Sequence, residues 1–345
     1  MAFSAIWTQF FPPRNGAPLT EANLPSQAGK VCIVTGGSSG LGYELSRILY
    51  GAGATVYMLT RSREHADSAI SRIKAFYDSK QEGGKKRGRL EYIPMDLIDL
   101  ASVKTAAQEF LDRQPGRLDI LFNNAGTAAR KNAPLTTQGN EYHFGINVLG
   151  GFLLAKLLAP ILFQTARQAP AGSVRVVWPA SLLVEMSTPK GGIGSEFLRD
   201  PTVIKDPAVI YSMSKTANWF VASEFARRHS RQSGGAGGQV LHISGNPGNY
   251  LTNIWRDTPA LLFWVLWPIL RNPVHGAETY LFMGFSESVT LADADAGRYV
   301  VPDGRWHPGG MREDLLLALR SVDESGSGRA AECFDWCEEK VREFL

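Results

Sequence analysis

The chain has 345 residues, 44% hydrophobic and 20% charged, with a formal net charge of +3. This is enough apolar sequence to bury a sizeable core in an ordinary globular protein, and too little charge to argue for nucleic acid as a partner. Cys32, Cys333 and Cys337 are too few and too scattered for a disulfide framework, so a reducing, cytoplasmic setting is expected.

Residues 1–28 read as an N-terminal extension. Phe3, Ile6, Trp7, Phe10 and Phe11 carry no basic lead and run into Pro12-Pro13, which is not a secretory pattern. From Lys30 onward, short near-continuously apolar runs at 31–35, 55–60, 90–95, 118–123, 174–178 and 239–244 predict strands buried on both faces. Helical patterns fall between them at about 41–51, 64–80, 100–114, 136–168 and 208–230. A last strand is predicted at 297–301 and a C-terminal helix from about Ala330, where Cys333 and Cys337 lie a turn apart on an expected half-buried face. The basic run Lys85-Lys86-Arg87-Gly88-Arg89 reads as a solvated loop, and the Gly-rich stretch 233–238 as a surface loop rather than a domain linker. Alternation of strand and helix predicts an α/β fold: a Rossmann-type doubly wound parallel sheet of about seven strands in a single domain. Its catalytic unit would span 29–305, with 306–345 a C-terminal helical segment. The longest apolar run, 259–270, is shorter than the ~20 residues a bilayer requires, so no transmembrane segment is expected.

The first strand ends in Thr35-Gly36-Gly37-Ser38-Ser39-Gly40-Leu41-Gly42 and a helical pattern starts at once. Gly36 can turn without a Cβ penalty, while Gly40 and Gly42 let a ligand approach backbone N–H groups at the positive end of the helix dipole. A glycine-rich turn alone is weak evidence, but between a buried strand and a helix it predicts a dinucleotide site. The second strand ends in Thr60-Arg61-Ser62-Arg63 rather than in a carboxylate that would hold a ribose hydroxyl. Arg61 can pair with a 2′-phosphate, which favours NADP(H); the alternative is a solvated loop arginine.

Tyr211 and Lys215 stand four residues apart on a predicted helix and so face one way. A nearby cation is expected to lower the phenol's pKa and fit it for proton transfer to or from a carbonyl oxygen. The spacing alone is as consistent with chance as with a site. Ser181, just past the carboxyl end of a strand, adds a hydroxyl where ligands bind in open α/β sheets. Asn147 is a polar residue among Phe144, Ile146, Val148 and Leu149, either part of that site or a satisfied core amide. No histidine or cysteine has metal-ligand spacing.

Over about residues 29–305 the sequence resembles the short-chain dehydrogenase/reductase family, and among its members retinol-dehydrogenase-like and fungal biosynthetic reductases. Residues 35–42 match its TGxxxGxG motif, Asn123-Asn124-Ala125-Gly126 its NNAG signature, and Asn147, Ser181, Tyr211 and Lys215 its catalytic tetrad. Pro247-Gly248 followed by Thr252 resembles the stretch beside the nicotinamide, and Asp96-Leu97 the acidic position at the adenine. The resemblance implies cofactor contacts at Gly36, Ser38, Ser39, Gly40, Leu41, Gly42, Arg61, Asp96, Leu97, Asn123, Ala125, Gly126, Tyr211, Lys215, Pro247, Gly248 and Thr252. It also implies that Lys215 holds the nicotinamide ribose, that Asn147 positions a relay water, and that two copies pair through long helices.

Two departures stand out. Pro179 precedes the serine in Trp178-Pro179-Ala180-Ser181, where it removes a ladder donor and is expected to re-aim Ser181. The long Ser181–Tyr211 interval, with Gly191-Gly192 and Asp206-Pro207, is expected to form an extra surface loop. A lid over an apolar small-molecule substrate is expected at about 250–290, where Trp255, Trp264 and Trp267 cluster; a dimer face or membrane contact are its alternatives. The reading is an NADPH-dependent carbonyl–alcohol oxidoreductase of secondary metabolism. Chemistry on an imine or epoxide, a cyclisation, and a non-catalytic NADP(H)-binding protein are the alternatives.

Overall fold

The computed structural model describes residues 3–80, 87–233, 238–252, 264 and 267–345. Its strands are β1 (Val31–Thr35), β2 (Thr55–Thr60), β3 (Arg89–Pro94), β4 (Ile120–Phe122), β5 (Arg175–Pro179), β6 (Leu241–Gly245), β7 (Tyr299–Val301) and β8 (Arg305–Trp306). The helices that matter below are α1 (Phe3–Phe10), α2 (Gly40–Gly51), α3 (Arg63–Ser79), α4 (Leu100–Arg113), α5 (Gly150–Ala166), α6 (Leu183–Met186), α7 (Ser195–Arg199), α8 (Pro207–Ser233), α9 (Pro273–Phe285), α10 (Glu313–Leu319) and α11 (Arg329–Val341).

The eight strands form one sheet in the order β3-β2-β1-β4-β5-β6-β7-β8, parallel except for β8. The order reverses between β1 and β4, the switch point at which open α/β sheets take ligands in the crevice beyond the carboxyl ends of their strands. The inner strands feed both faces. In β1, Val31 and Ile33 join one core and Cys32 and Val34 the other, as period-two alternation requires. This double burial is why the strands read as unbroken apolar runs.

The eighth strand was not expected. It is two residues long, too short for any periodicity, and it returns through Asp303 (φ +64) and Gly304 (φ +64). Both angles suit an Asp-Gly hairpin turn, the one local signal for it. β7 starts at Tyr299 rather than 297 because Gly297 (φ +63) is still closing the preceding helix.

The helix expected at 136–168 begins at Tyr142, and its stretch Gly145–Leu149 is a π-helix leading into α5. The helical run from Tyr142 to Ala166 is long and apolar enough to cross a membrane, yet most of its apolar window is buried against the sheet and α4. Cys333 and Cys337 are fully buried in the main core, not half-buried, and all three cysteines are free. The interval after Ser181 is not a surface loop. It folds into α6, α7 and a short 3-10 turn, and buries Ile193, Phe197 and Leu198. Glycines and prolines interrupt its apolar spacing, which hid this from the pattern. Of the basic run 85–89, Arg87 lies over the Tyr77 ring and donates to the Gly51 carbonyl at 3.3 Å; Lys85 and Lys86 are outside the described residues, as is most of the 233–238 loop.

Candidate active site

The cradle is built from backbone. Gly36 (φ +66) and Gly40 (φ +54) adopt left-handed conformations, which side chains rarely tolerate. A Cβ on Gly42 would strike the Gly36 carbonyl and Asn124 Nδ2. The N-cap of α2, Ser39, makes no side-chain cap, so the first N–H groups of the helix stay open for an anion. Thr35 ties the cradle to the segment after β4: its carbonyl accepts from Asn124 Nδ2 at 2.8 Å and its hydroxyl from the Ala125 N–H at 2.8 Å. Asn124 belongs to the Asn123-Asn124-Ala125-Gly126 signature but is not among the expected cofactor contacts.

Other expected contacts gather around this cradle. Ser38 bonds Thr60 at the end of β2 at 3.1 Å, and Leu41 packs against Gly276 of α9. Thr252 reaches the cradle directly, since a Cβ on Gly40 would lie 3.2 Å from its methyl. Arg61 is exposed and meets no carboxylate among the described residues, while Arg63 stacks 4.9 Å from the centre of the Tyr92 ring. Asp96 is occupied with its own turn, accepting from the Ile98 N–H at 3.1 Å. Leu97 packs on Gly150, and Asn123 is buried with both amide atoms unpartnered. An open helix N-terminus, glycines whose Cβ positions are filled by neighbours, and an orphaned amide beside the crevice fit a dinucleotide.

Helix α8 carries the chemistry. Tyr211 is half-buried, Lys215 is buried, and the Lys215 Nζ donates to the Pro179 carbonyl at 3.4 Å. Ser181 stands across from them. Its Oγ accepts from the Leu183 N–H at 3.2 Å, and the hydroxyl acts on the Tyr211 phenol to favour its ionised form. Burial raises the Tyr211 pKa, and the neighbouring Ser181 hydroxyl opposes the rise. Lys215 was expected to lower it; instead the ammonium sits 5.9 Å from the ring centre and is turned toward Pro179. Burial in turn lowers Lys215 to about 8.

Pro179 does not re-aim Ser181. The Val177 carbonyl bonds the Asn123 N–H on the β4 side and the Ala180 N–H bonds Gly245 on the β6 side. By alternation Pro179 faces past the end of β4, where its missing N–H has no strand to serve. Its carbonyl instead accepts from Lys215 and, at 2.9 Å, from Asn218 Nδ2.

Asn147 lies in the π-helical stretch. Its Oδ1 accepts from the Thr127 N–H at 2.8 Å, and its Nδ2 donates to the Thr127 carbonyl and to Ser214 Oγ at 3.0 Å. Ser214 passes the link to the Tyr211 carbonyl at 2.7 Å. The side chain is therefore satisfied and also part of the site, fixing the loop after β4 against α8. Ser214 and Asn218 escaped the sequence reading, although both fall within two turns of Tyr211.

The Pro247-Gly248 turn is set by Gly248 (φ +112) and by its N–H donating to Asn246 Oδ1 at 2.9 Å. Asn246 also bonds Gln9 of α1 at 3.0 Å, and Gln9 bonds Glu185 of α6 at 2.7 Å. The expected N-terminal extension thus reaches into the site's flank. A cavity of about 550 Å³ opens there, lined by Ala5, Glu185, Lys190 and residues 308–314. Of the expected lid, 253–263 and 265–266 lie outside the described residues. Trp264 and Trp267 are exposed, and α9 packs into the core beneath the cradle.

Residues 30–182 match the family model described as short chain dehydrogenase. The chain is 39% identical to the short-chain dehydrogenase/reductase bet4 of Neocamarosporium betae over 99% of this chain and 94% of that one. It is 40% identical to a short-chain dehydrogenase/reductase of Phomopsis amygdali over 98% and 97%. Among solved structures, the Pseudomonas aeruginosa RhlG/NADP active-site complex superposes with a TM-score of 0.56 at 24% identity, covering 82% of this chain and 98% of that one. With near-full-length relatives of this kind and a nicotinamide-type cradle at the switch point, the chain belongs to the short-chain dehydrogenase/reductase family and is an oxidoreductase that binds a nicotinamide cofactor.

Proposed function

We propose that the protein interconverts a carbonyl and an alcohol on an apolar small molecule, with NADPH as its cofactor, in secondary metabolism. The observation that carries this reading is the meeting of the Tyr211 phenol, the Ser181 hydroxyl and the Lys215 ammonium at the carboxyl end of β5. Arg61, exposed at the end of β2, supports the choice of phosphate-bearing cofactor, as does a structural neighbour described as an NADP complex. The fungal relatives support a biosynthetic setting.

In this reading residues 36–42, Arg61, Asn123 and Thr252 hold the cofactor, and Lys215 its ribose. Bound there, a reduced nicotinamide supplies a hydride. Ser181 Oγ donates to the substrate's carbonyl oxygen and fixes it beside Tyr211 Oη. As the carbonyl carbon gains the hydride, Tyr211 Oη gives its proton to that oxygen; in oxidation it takes the proton back. The raised Tyr211 pKa suits reduction, because the phenol stays loaded. Lys215, mostly protonated near neutral pH, holds the ribose and places a positive charge on the same wall of the site.

The same reading keeps 29–305 as the catalytic unit, the part of the expected 250–290 lid that precedes α9 as a cover over the site, pairing of two copies, and a cytoplasmic setting consistent with three free buried cysteines. With Pro179 accommodated, imine, epoxide or cyclisation chemistry loses the departure that motivated it. The test is consumption of NADPH and NADH over a panel of apolar ketones, aldehydes and imines. The expected result is NADPH-dependent turnover of carbonyls. Tight NADPH binding with no turnover on any compound would favour a binding protein instead.

A further inference from the structure

Once β5 ends, the last ladder bond is Ala180 N–H to the Gly245 carbonyl at 2.7 Å. The next residue is Ser181, and no strand serves its peptide groups, which lie at the wall of the crevice and need partners. One atom bonds both, the carbonyl also accepting from the Val184 N–H at 3.1 Å. The hydroxyl of Tyr299, on β7, donates to the Ser181 carbonyl at 2.9 Å and accepts from the Ser181 N–H at 3.2 Å. β7 is two strands away, with β6 between, so the phenol substitutes for a missing neighbouring strand at this single residue.

The ring is itself seated. Tyr299 is 3% exposed, and Trp219 of α8 packs on it edge-on at 5.4 Å between ring centres. Trp219 Nε1 in turn donates to the Gly297 carbonyl at 2.9 Å, two residues before Tyr299. Burial holds the Tyr299 phenol protonated, so the donor is always present. Ser181 and Tyr211 are thereby referenced to one element: Tyr211 stands on α8, and Ser181 is held by a phenol that α8 clamps two turns further along.

We propose that Tyr299 is a positioning residue that fixes the Ser181 peptide, and hence aims the Ser181 hydroxyl at the oxygen Tyr211 protonates. The proposal rests on the reading of Ser181 given above. Tyr299 acts through the Ser181 peptide.

The test is a double-mutant cycle of Tyr299→Phe and Ser181→Ala, with Tyr77→Phe as a stability control. Tyr77 is also a buried phenol, bonded to Glu21 at 2.8 Å on the far flank of the sheet. Tyr299→Phe is expected to lower kcat by about tenfold with NADPH affinity unchanged, and to add less than about twofold in the Ser181→Ala background. Tyr77→Phe is expected to leave kcat unchanged. Multiplicative effects in the double variant, or an equal loss of kcat from Tyr77→Phe, would overturn the proposal. Amide hydrogen exchange at residues 180–184 gives a readout free of turnover: Tyr299→Phe should speed it, and unchanged protection would also overturn the proposal. If Ser181→Ala leaves turnover intact, the catalytic reading fails separately and exchange alone decides whether the clamp exists.

Discussion

The two sides of the candidate site are built by different means. On the β1–β4 side the site is mostly backbone: glycines in left-handed turns and an uncapped helix end, tied down by two bonds that Thr35 accepts. On the β5–β7 side it is side chains from distant parts of the chain: Tyr211, Ser181, Tyr299, Gln9 and Glu185. A backbone site demands fixed residues at fixed spacing, because only glycine fits. A side-chain site demands only that some partner arrive, and it leaves freedom over which residue supplies it.

The largest effect that would test this contrast lies in the cradle. Gly42→Ala puts a methyl into the Gly36 carbonyl, which cannot give way as a side chain could. NADPH affinity is expected to fall at least about 100-fold by fluorescence titration, while the fold survives in circular dichroism; near-normal binding would show that the cradle is not so tightly specified. Next comes Arg61→Ala. Loss of a charged pair with a phosphate should weaken NADPH about 10- to 100-fold and leave NADH untouched. Equal losses for both would mean that Arg61 reads something other than the 2′-phosphate.

The third effect is in pH. Burial lowers Lys215 to about 8, so its ammonium is present below that value and lost above it. Tyr211, shifted upward, keeps its proton over the same range. For reduction, kcat/KM is expected to be flat from pH 6 to 7 and to fall about tenfold per pH unit well above 8. A profile flat to pH 10 would remove the lysine from the mechanism. The smallest effect belongs to the substrate flank. Gln9→Ala leaves the Asn246 amide and the Glu185 carboxylate without this bridge. The melting temperature should drop by a few degrees, on the order of 1–3 kcal/mol, and KM for substrate should rise a few-fold with NADPH affinity unchanged. A change in NADPH affinity instead would place α1 on the cofactor side.

This contrast also explains what could be read from the chain. The parallel strands and the glycine-rich turn were legible, because strands buried on both faces and a turn that only glycine fits leave local traces. Asn124 was half visible beside Asn123. Ser214 and Asn218 were not, since a serine or asparagine on a helix face has many ordinary uses. Tyr299 was hidden for a deeper reason: its partner is the backbone of a residue 118 positions away, and backbone bonds leave no mark in the partner's identity. Pro179 misled because its cost depends on which neighbour its N–H would have faced. The core of the 182–206 excursion was obscured by the glycines and prolines that let it fold back.

The most direct test of the central claim is Tyr211→Phe, measured for turnover and NADPH binding on the same preparation. The substitution removes one hydroxyl and retains the ring. The expected result is a loss of turnover of at least about 10²-fold, the usual share of a positioned acid, with NADPH affinity within about twofold of the parent. Turnover within a few-fold of the parent would contradict the assignment of Tyr211 as the proton donor.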